Sequence, residues 1–216
     1  MKYPIIWHIL CGVLTVFAVI IFSNKVDRGL SNNTVILAGM VLSLFTSAML
    51  TTITALCSED IKAITMWQMG SFAMKSWSYV FAGIPFFIIG IFMAVRYTRE
   101  MDILSFGEDG AKAIGVETEK VKKHLLFSTA VLTGSAVALS GTIGFIDLIV
   151  PHLVRKIFGP NHKVVIPMCI LLGGSFMVLT DLVARTIISP SELPVGAITA
   201  IIGAPFFAYV YFKKAS

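Results

Sequence analysis

Five stretches of this chain run for about twenty residues or more without an Asp, Glu, Lys or Arg: Pro4 to Asn24, Gly29 to Ser58, Ser76 to Val95, His124 to Ile146 and Leu193 to Phe212. A helix crosses a hydrocarbon layer of ~30 Å with about 20 apolar residues, because each residue rises ~1.5 Å. Each stretch therefore predicts a membrane span. Val164 to Thr180 is also free of charge and continues through Asp181 and Arg185 to Ile188, a sixth span with a polar end. Thr142 to Phe158 contains Asp147, Pro151 and His152, so it reads either as a seventh span after a tight turn or as a re-entrant piece. Composition agrees, with 56% hydrophobic and 13% charged residues and a mean hydropathy of +0.87. The expected class is all-α integral membrane, a polytopic bundle of about seven transmembrane helices.

Charge placement decides between the two readings of Thr142 to Phe158. With seven spans and the N-terminus outside, thirteen basic residues share one side: Lys25, Arg28, Arg96, Arg99, Lys112, Lys120, Lys122, Lys123, Arg155, Lys156, Lys163, Lys213 and Lys214. Only Lys2, Lys62, Lys75 and Arg185 lie opposite. A re-entrant piece would reduce the bias to eight against nine, so the positive-inside rule favours seven spans. The formal charge of +5 is thus a matter of topology, and no nucleic-acid partner is expected. Cys11, Cys57 and Cys169 stand singly, without zinc or disulfide spacing. The first apolar run is long for a signal peptide and lacks a cleavage site, so it reads as a retained span. A chain starting outside, directly on a span, implies further sequence upstream. Rows of small residues at Gly39, Ser43 and Ser47, at Gly134 and Ala138, and at Gly196, Ala200 and Ala204 suit close helix packing in lipid.

The connection from Arg96 to Lys123 contains Phe106-Gly107-Glu108-Asp109-Gly110-Ala111-Lys112-Ala113-Ile114-Gly115-Val116, which reads as two short helical pieces punctuated by glycines. Glu108 and Asp109 at the start of one piece suit the helix dipole. From the residues alone it is equally a docking element or a solvated linker. Arg185 opposes the positive-inside trend, which predicts a partner in Asp181 one turn away or snorkelling to headgroups. Ser189 to Pro194 reads as a proline-fixed turn. Pro151-His152 reads as a structural pair, and His8, His124 and His162 show no ligand spacing. Met66, Met69 and Met74 are expected to pack a segment at the outer surface, with Trp67 and Trp77 as interfacial anchors. No GxxxxGK[ST] is present, so the chain carries no phosphate loop.

SFGEDGAKAIGV, GTIGFIDLIVPHLVR, DLVAR and ELPVGAITAIIGAPFF, together with VILAGMVLS and ITMWQMGSFAMKSW upstream, resemble the transmembrane permease subunit of the iron-siderophore, haem and cobalamin class of ABC importers. The resemblance covers essentially the whole chain and implies a ten-helix fold of which these residues match roughly the last seven spans. Asp147 departs from it, standing where the family usually has a small residue. Residues 1–216 would then form a single transmembrane permease domain with a cytoplasmic coupling segment at 103–119, whose Gly107, Glu108, Asp109, Gly110, Ala111, Ala113, Ile114 and Gly115 meet a separate ATPase subunit. Arg185, oriented by Asp181 and with Glu192 nearby, would dock an extracytoplasmic binding protein. Ser31 and Asn32 would stand near the inner gate of the path. The resemblance further implies a second permease subunit, homo- or heterodimeric, two ATP-binding cassette subunits that hold ATP and Mg, no cofactor or metal on this chain, a bacterial cell membrane location, and an iron chelate such as a siderophore as cargo. Two other readings compete: a non-functional truncated remnant, and an intramembrane hydrolase built on Ser140, His152 and Asp147 or Asp181.

Overall fold

The computed structural model describes residues 4–26, 31–56, 61–73, 76–188 and 192–215. All regular structure among them is helical: α1 Pro4–Val26, α2 Asn32–Leu56, α3 Ile61–Gln68, α4 Trp77–Arg96, α5 Thr98–Leu104, α6 Glu108–Ala113, α7 Thr118–Ser140, α8 Ile146–Phe158, α9 His162–Thr186 and α10 Val195–Ala215. The seven longest coincide with the seven expected spans. By length and apolar composition, Asn33–Leu56, Trp77–Arg96 and His162–Thr186 can each cross a membrane, and Leu10–Val26 and Val195–Val210 are shorter apolar pieces. Their large side chains stay exposed, as in Leu44, Phe81, Phe92, Leu171 and Val178, which suits a hydrocarbon surround. The chain is an all-α, polytopic membrane protein.

The structure corrects two boundaries. The fourth apolar run does not stay helical to Ile146, because α7 ends at Ser140 and the chain leaves helical geometry through Gly141 to Gly144. The seventh is a helix only from Ile146 to Phe158, 13 residues. That is about 20 Å of helix, short of the ~30 Å layer. Phe145 begins α8 in a left-handed conformation at φ 67°.

Two compact units make up the chain. Unit one is Met1–Thr65 with Ser76–Leu139. Here α4 presents Gly83 and Gly90, seven residues apart, where Leu139 and Leu132 of α7, also seven apart, approach: a Cβ on Gly83 would lie 3.0 Å from Leu139, and one on Gly90 would lie 2.5 Å from Leu132. The buried Ser128 hydroxyl donates to the Gly90 carbonyl at 2.8 Å, a bond between helices that exists only because the backbones come so close. Gly12 of α1 lies against Gly134 and Ala130 of α7 in the same way.

Unit two is Met66–Lys75 with Ser140–Ser216. Its core joins Val150, Val154 and Val165 of α8 and α9, and a second cluster joins Ala184, Val195 and Ile198 with Phe72 and Ile143 around them. The segment after α3 is held by backbone bonds: Ser71 N–H to the Ser140 carbonyl at 2.8 Å, Val195 N–H to Gly70 at 3.1 Å, and Gly196 N–H to Met69 at 3.1 Å. Thr142 Oγ1 donates to the Gln68 carbonyl. A Cβ at Gly141 would run into the Trp67 carbonyl oxygen, and one at Gly196 into that of Met69, so both positions need glycine for close approach. Irregular backbone is tolerated in a membrane protein where it is satisfied internally in this way. Trp67 ends on this segment and Trp77 opens α4 three-quarters exposed, consistent with interfacial anchors; Met74 and Cys57 fall outside the described residues.

Candidate functional site

The connector between α4 and α7 folds into α5 and α6, joined by a tight turn. It differs from the expected pattern: a single six-residue helix lies between the glycines, and the other short helix ends earlier, at Leu104. Gly107 and Gly115 bracket α6 at φ 113° and 87°, with nothing within 4 Å of a Cβ at either, so they redirect the backbone rather than admit a neighbour. Ala111 N–H bonds the Gly107 carbonyl at 3.1 Å, and Val116 N–H bonds that of Ala111 at 3.0 Å, which folds the next residues back under the helix. Ala111 is buried, 1% exposed, and Glu108 turns toward α7 to pair with Lys122. The opposite side is solvent-facing: Asp109, Gly110, Ala113, Ile114 and Gly115 are all exposed. Two large apolar side chains stand out there, Phe106 at 89% exposure and Ile114 at 68%. Nearby, Glu117 lies 2.5 Å from Lys120 and raises the lysine pKa above its ordinary value, first through their hydrogen bond and then through attraction. The arrangement is a small knob with an exposed apolar pair on a charged rim.

In unit two, Arg185 sits at the end of α9. Its Nε donates to Asp181 Oδ2 at 2.9 Å, and its Nη1 lies 3.8 Å from Glu192. The structure thus brings together Arg185, Asp181 and Glu192, with the Arg185 side chain still 43% exposed. Leu193 N–H bonds the Ala184 carbonyl at 3.1 Å and anchors the returning chain beside them. Ser189, Pro190 and Ser191 lie outside the described residues.

Ser31 precedes α2, where its hydroxyl shares a hydrogen bond with Thr34 at 2.9 Å and its carbonyl accepts from Val35 N–H at 3.1 Å. Asn32 opens α2, with its side chain outside the described set. His152 packs edge-on against Phe206 at 6.3 Å, as befits a structural pair. Ser140 Oγ donates to the Gly141 carbonyl. Among the described residues, no three His, Cys, Asp or Glu side chains gather as a metal site. Reasoning from sequence passed over Phe106, although a large apolar residue inside a charged loop was a signal. It also passed over Lys122, which is fourteen residues from its partner and has no spacing to betray it.

Residues 1–213 match the FecCD transport family. The chain belongs to that family. It is 41% identical over 94% of its length to the uncharacterised ABC transporter permease protein YvrB of Bacillus subtilis, covering 58% of that protein. It is 39% identical over 82% of its length to the cobalamin import permease BtuC of Halobacterium salinarum, covering 47%. To the Fe(3+)-citrate import permease YfmD of Bacillus subtilis it is 35% identical over 88%, covering 57%. A solved structure described as an inward-facing metal-chelate type ABC transporter superposes with a TM-score of 0.87 at 35% identity, over 95% of this chain and 65% of that one. The chain thus spans less than two thirds of each of these proteins. Family members are ABC transporter permeases, multi-pass membrane proteins that are not themselves enzymes, and the hydrolase reading falls.

Proposed function

We propose that the chain is the membrane-spanning part of an ATP-driven importer in the bacterial cell membrane, and that it forms the path for an iron chelate, a siderophore above all. Family membership over residues 1–213 carries the proposal, and relatives named for ferric citrate, hemin and ferric hydroxamate support the cargo class. In this reading the exposed side of α6, from Gly107 to Gly115, docks on a separate ATPase subunit, which holds ATP and Mg, while this chain binds no cofactor. Arg185, held by Asp181 beside Glu192, receives an acidic group of an extracytoplasmic binding protein. A second permease subunit completes the path, whose inner gate lies near Ser31 and Asn32. Support for a wall on α2 is its run of exposed Ser43, Ser47 and Thr51, with Thr51 Oγ1 bonded back to the Ser47 carbonyl at 2.9 Å. Such a wall offers small side chains and no charge to a bulky chelate.

The test is ATP-dependent uptake of radioiron-loaded siderophores by vesicles containing the assembled permease, ATPase and binding protein. Uptake above that of vesicles without ATP is expected for at least one ferric chelate. Uptake of cobalamin or molybdate with no ferric chelate transported would refute the cargo class.

A further inference from the structure

Among the ion pairs described around α6 and the start of α7, one is unlike the others. Glu117 and Lys120 keep 67% and 70% of their side chains exposed, and Glu119 and Lys123 keep 49% and 43%. Both pairs join near neighbours in sequence, at the start of α7, and are screened by water. In the third pair, Lys122 is 13% and Glu108 27% exposed, and the two belong to different helices. A pair withdrawn from water in this way is screened less than the two surface pairs, so pulling its members apart costs more.

The position of that pair gives it mechanical meaning. Glu108 is the first residue of α6, and Lys122 stands on the second turn of α7. Between them the chain turns at Gly115, whose positive φ and empty surroundings would let a six-residue helix swing. The ion pair closes this turn into a ring, which buried Ala111 and the Val116 to Ala111 hydrogen bond fill. Beyond Lys122, α7 runs as one helix to Ser140, packed on α4 through Ser128 and Gly90. A push on α6 therefore cannot be absorbed at the glycine and passes into α7. We propose that the Glu108–Lys122 pair is the strut that converts movement of α6 into movement of α7, so that both act as positioning residues rather than as contacts to a partner. The inference rests on α6 being the ATPase-docking element.

The experiment uses the assembled permease–ATPase complex in lipid nanodiscs, with Cys11, Cys57 and Cys169 replaced by Ser and a nitroxide attached after Thr133→Cys on α7. ATP with vanadate is expected to change the label's spectrum in this parent. Lys122→Glu, outside the docking segment, should capture the ATPase as the parent does yet show about tenfold less spectral change, and adding Glu108→Lys to it should regain most of the response. Should reversal prevent insertion, Glu108→Gln and Lys122→Met remove the pair without opposing like charges, and Lys122→Arg should keep the response. A full response in the single variants, a double variant that captures ATPase without recovering, or a parent that does not respond would each overturn the strut. So would loss of ATPase capture in Lys122→Glu, since that side chain would then be a direct contact. The docking reading fails separately, if Gly110→Trp with Ala113→Trp still captures the ATPase.

Discussion

Replacing Gly90 with alanine adds one methyl group where the structure has no room for it. The new Cβ would lie 2.5 Å from Leu132 Cγ and 2.6 Å from its Cδ2. Carbon atoms rest at about 3.5–4.0 Å, so α4 and α7 must separate by roughly 1 Å or Leu132 must leave its rotamer. Separation carries the Ser128 to Gly90 hydrogen bond from 2.8 Å to well beyond bonding distance. Overpacking costs about 1–3 kcal/mol, and an interhelical hydrogen bond in a membrane protein contributes about 0.6 kcal/mol, so a loss of about 2–3 kcal/mol is expected. Leu132→Ala in the same chain removes the colliding atoms, and the double variant should then be no less stable than Leu132→Ala alone. The coupling energy would then be about 2–3 kcal/mol, read from reversible unfolding in mixed detergent–SDS micelles. Strict additivity of the two substitutions, or an unchanged midpoint for Gly90→Ala, would refute the packing account.

Gly196→Ala aims a Cβ at the Met69 carbonyl oxygen, a backbone atom that cannot step aside, and should lower the unfolding midpoint more than Gly39→Ala, where a Cβ meets nothing within 4 Å. Arg185→Glu places a third carboxylate beside Asp181 and Glu192 and should weaken capture of the binding protein about tenfold at low salt, with the difference shrinking as salt rises; unchanged capture in a pull-down would count against docking there. Bulky residues at Gly110 and Ala113 meet open space, so membrane insertion should be normal by protease protection while ATPase association is lost.

The spans were legible because a helix in lipid needs only length and the absence of charge, and both can be counted. The Arg185–Asp181 pair was legible for a similar reason, being one helical turn apart. The end of α7 was not: Ser140 to Ile146 carries no charge, and the helix ends where Gly141 turns to φ 72°, a position held for glycine by the Trp67 carbonyl, a neighbour more than seventy residues away in sequence. Gly83 and Gly90 escaped notice because they fall seven apart rather than four, and their meaning appears only with Leu132 and Leu139 facing them. Family resemblance supplied the roles proposed for α6 and Arg185, and the residues alone left both evenly balanced or ordinary.

The bonds that hold Met69, Gly70 and Ser71 come from Ser140, Val195 and Gly196, so this short segment is made long before its partners. Roughly 120 residues separate it from Gly196, which at about 5–20 residues per second leaves it waiting some 6–25 s on the ribosome. During that interval its carbonyls and amides lack the partners that later hold them. A pause, or a protease acting within those seconds, would therefore find this segment unprotected, and the yield of folded protein should depend on how fast the last quarter of the chain is translated.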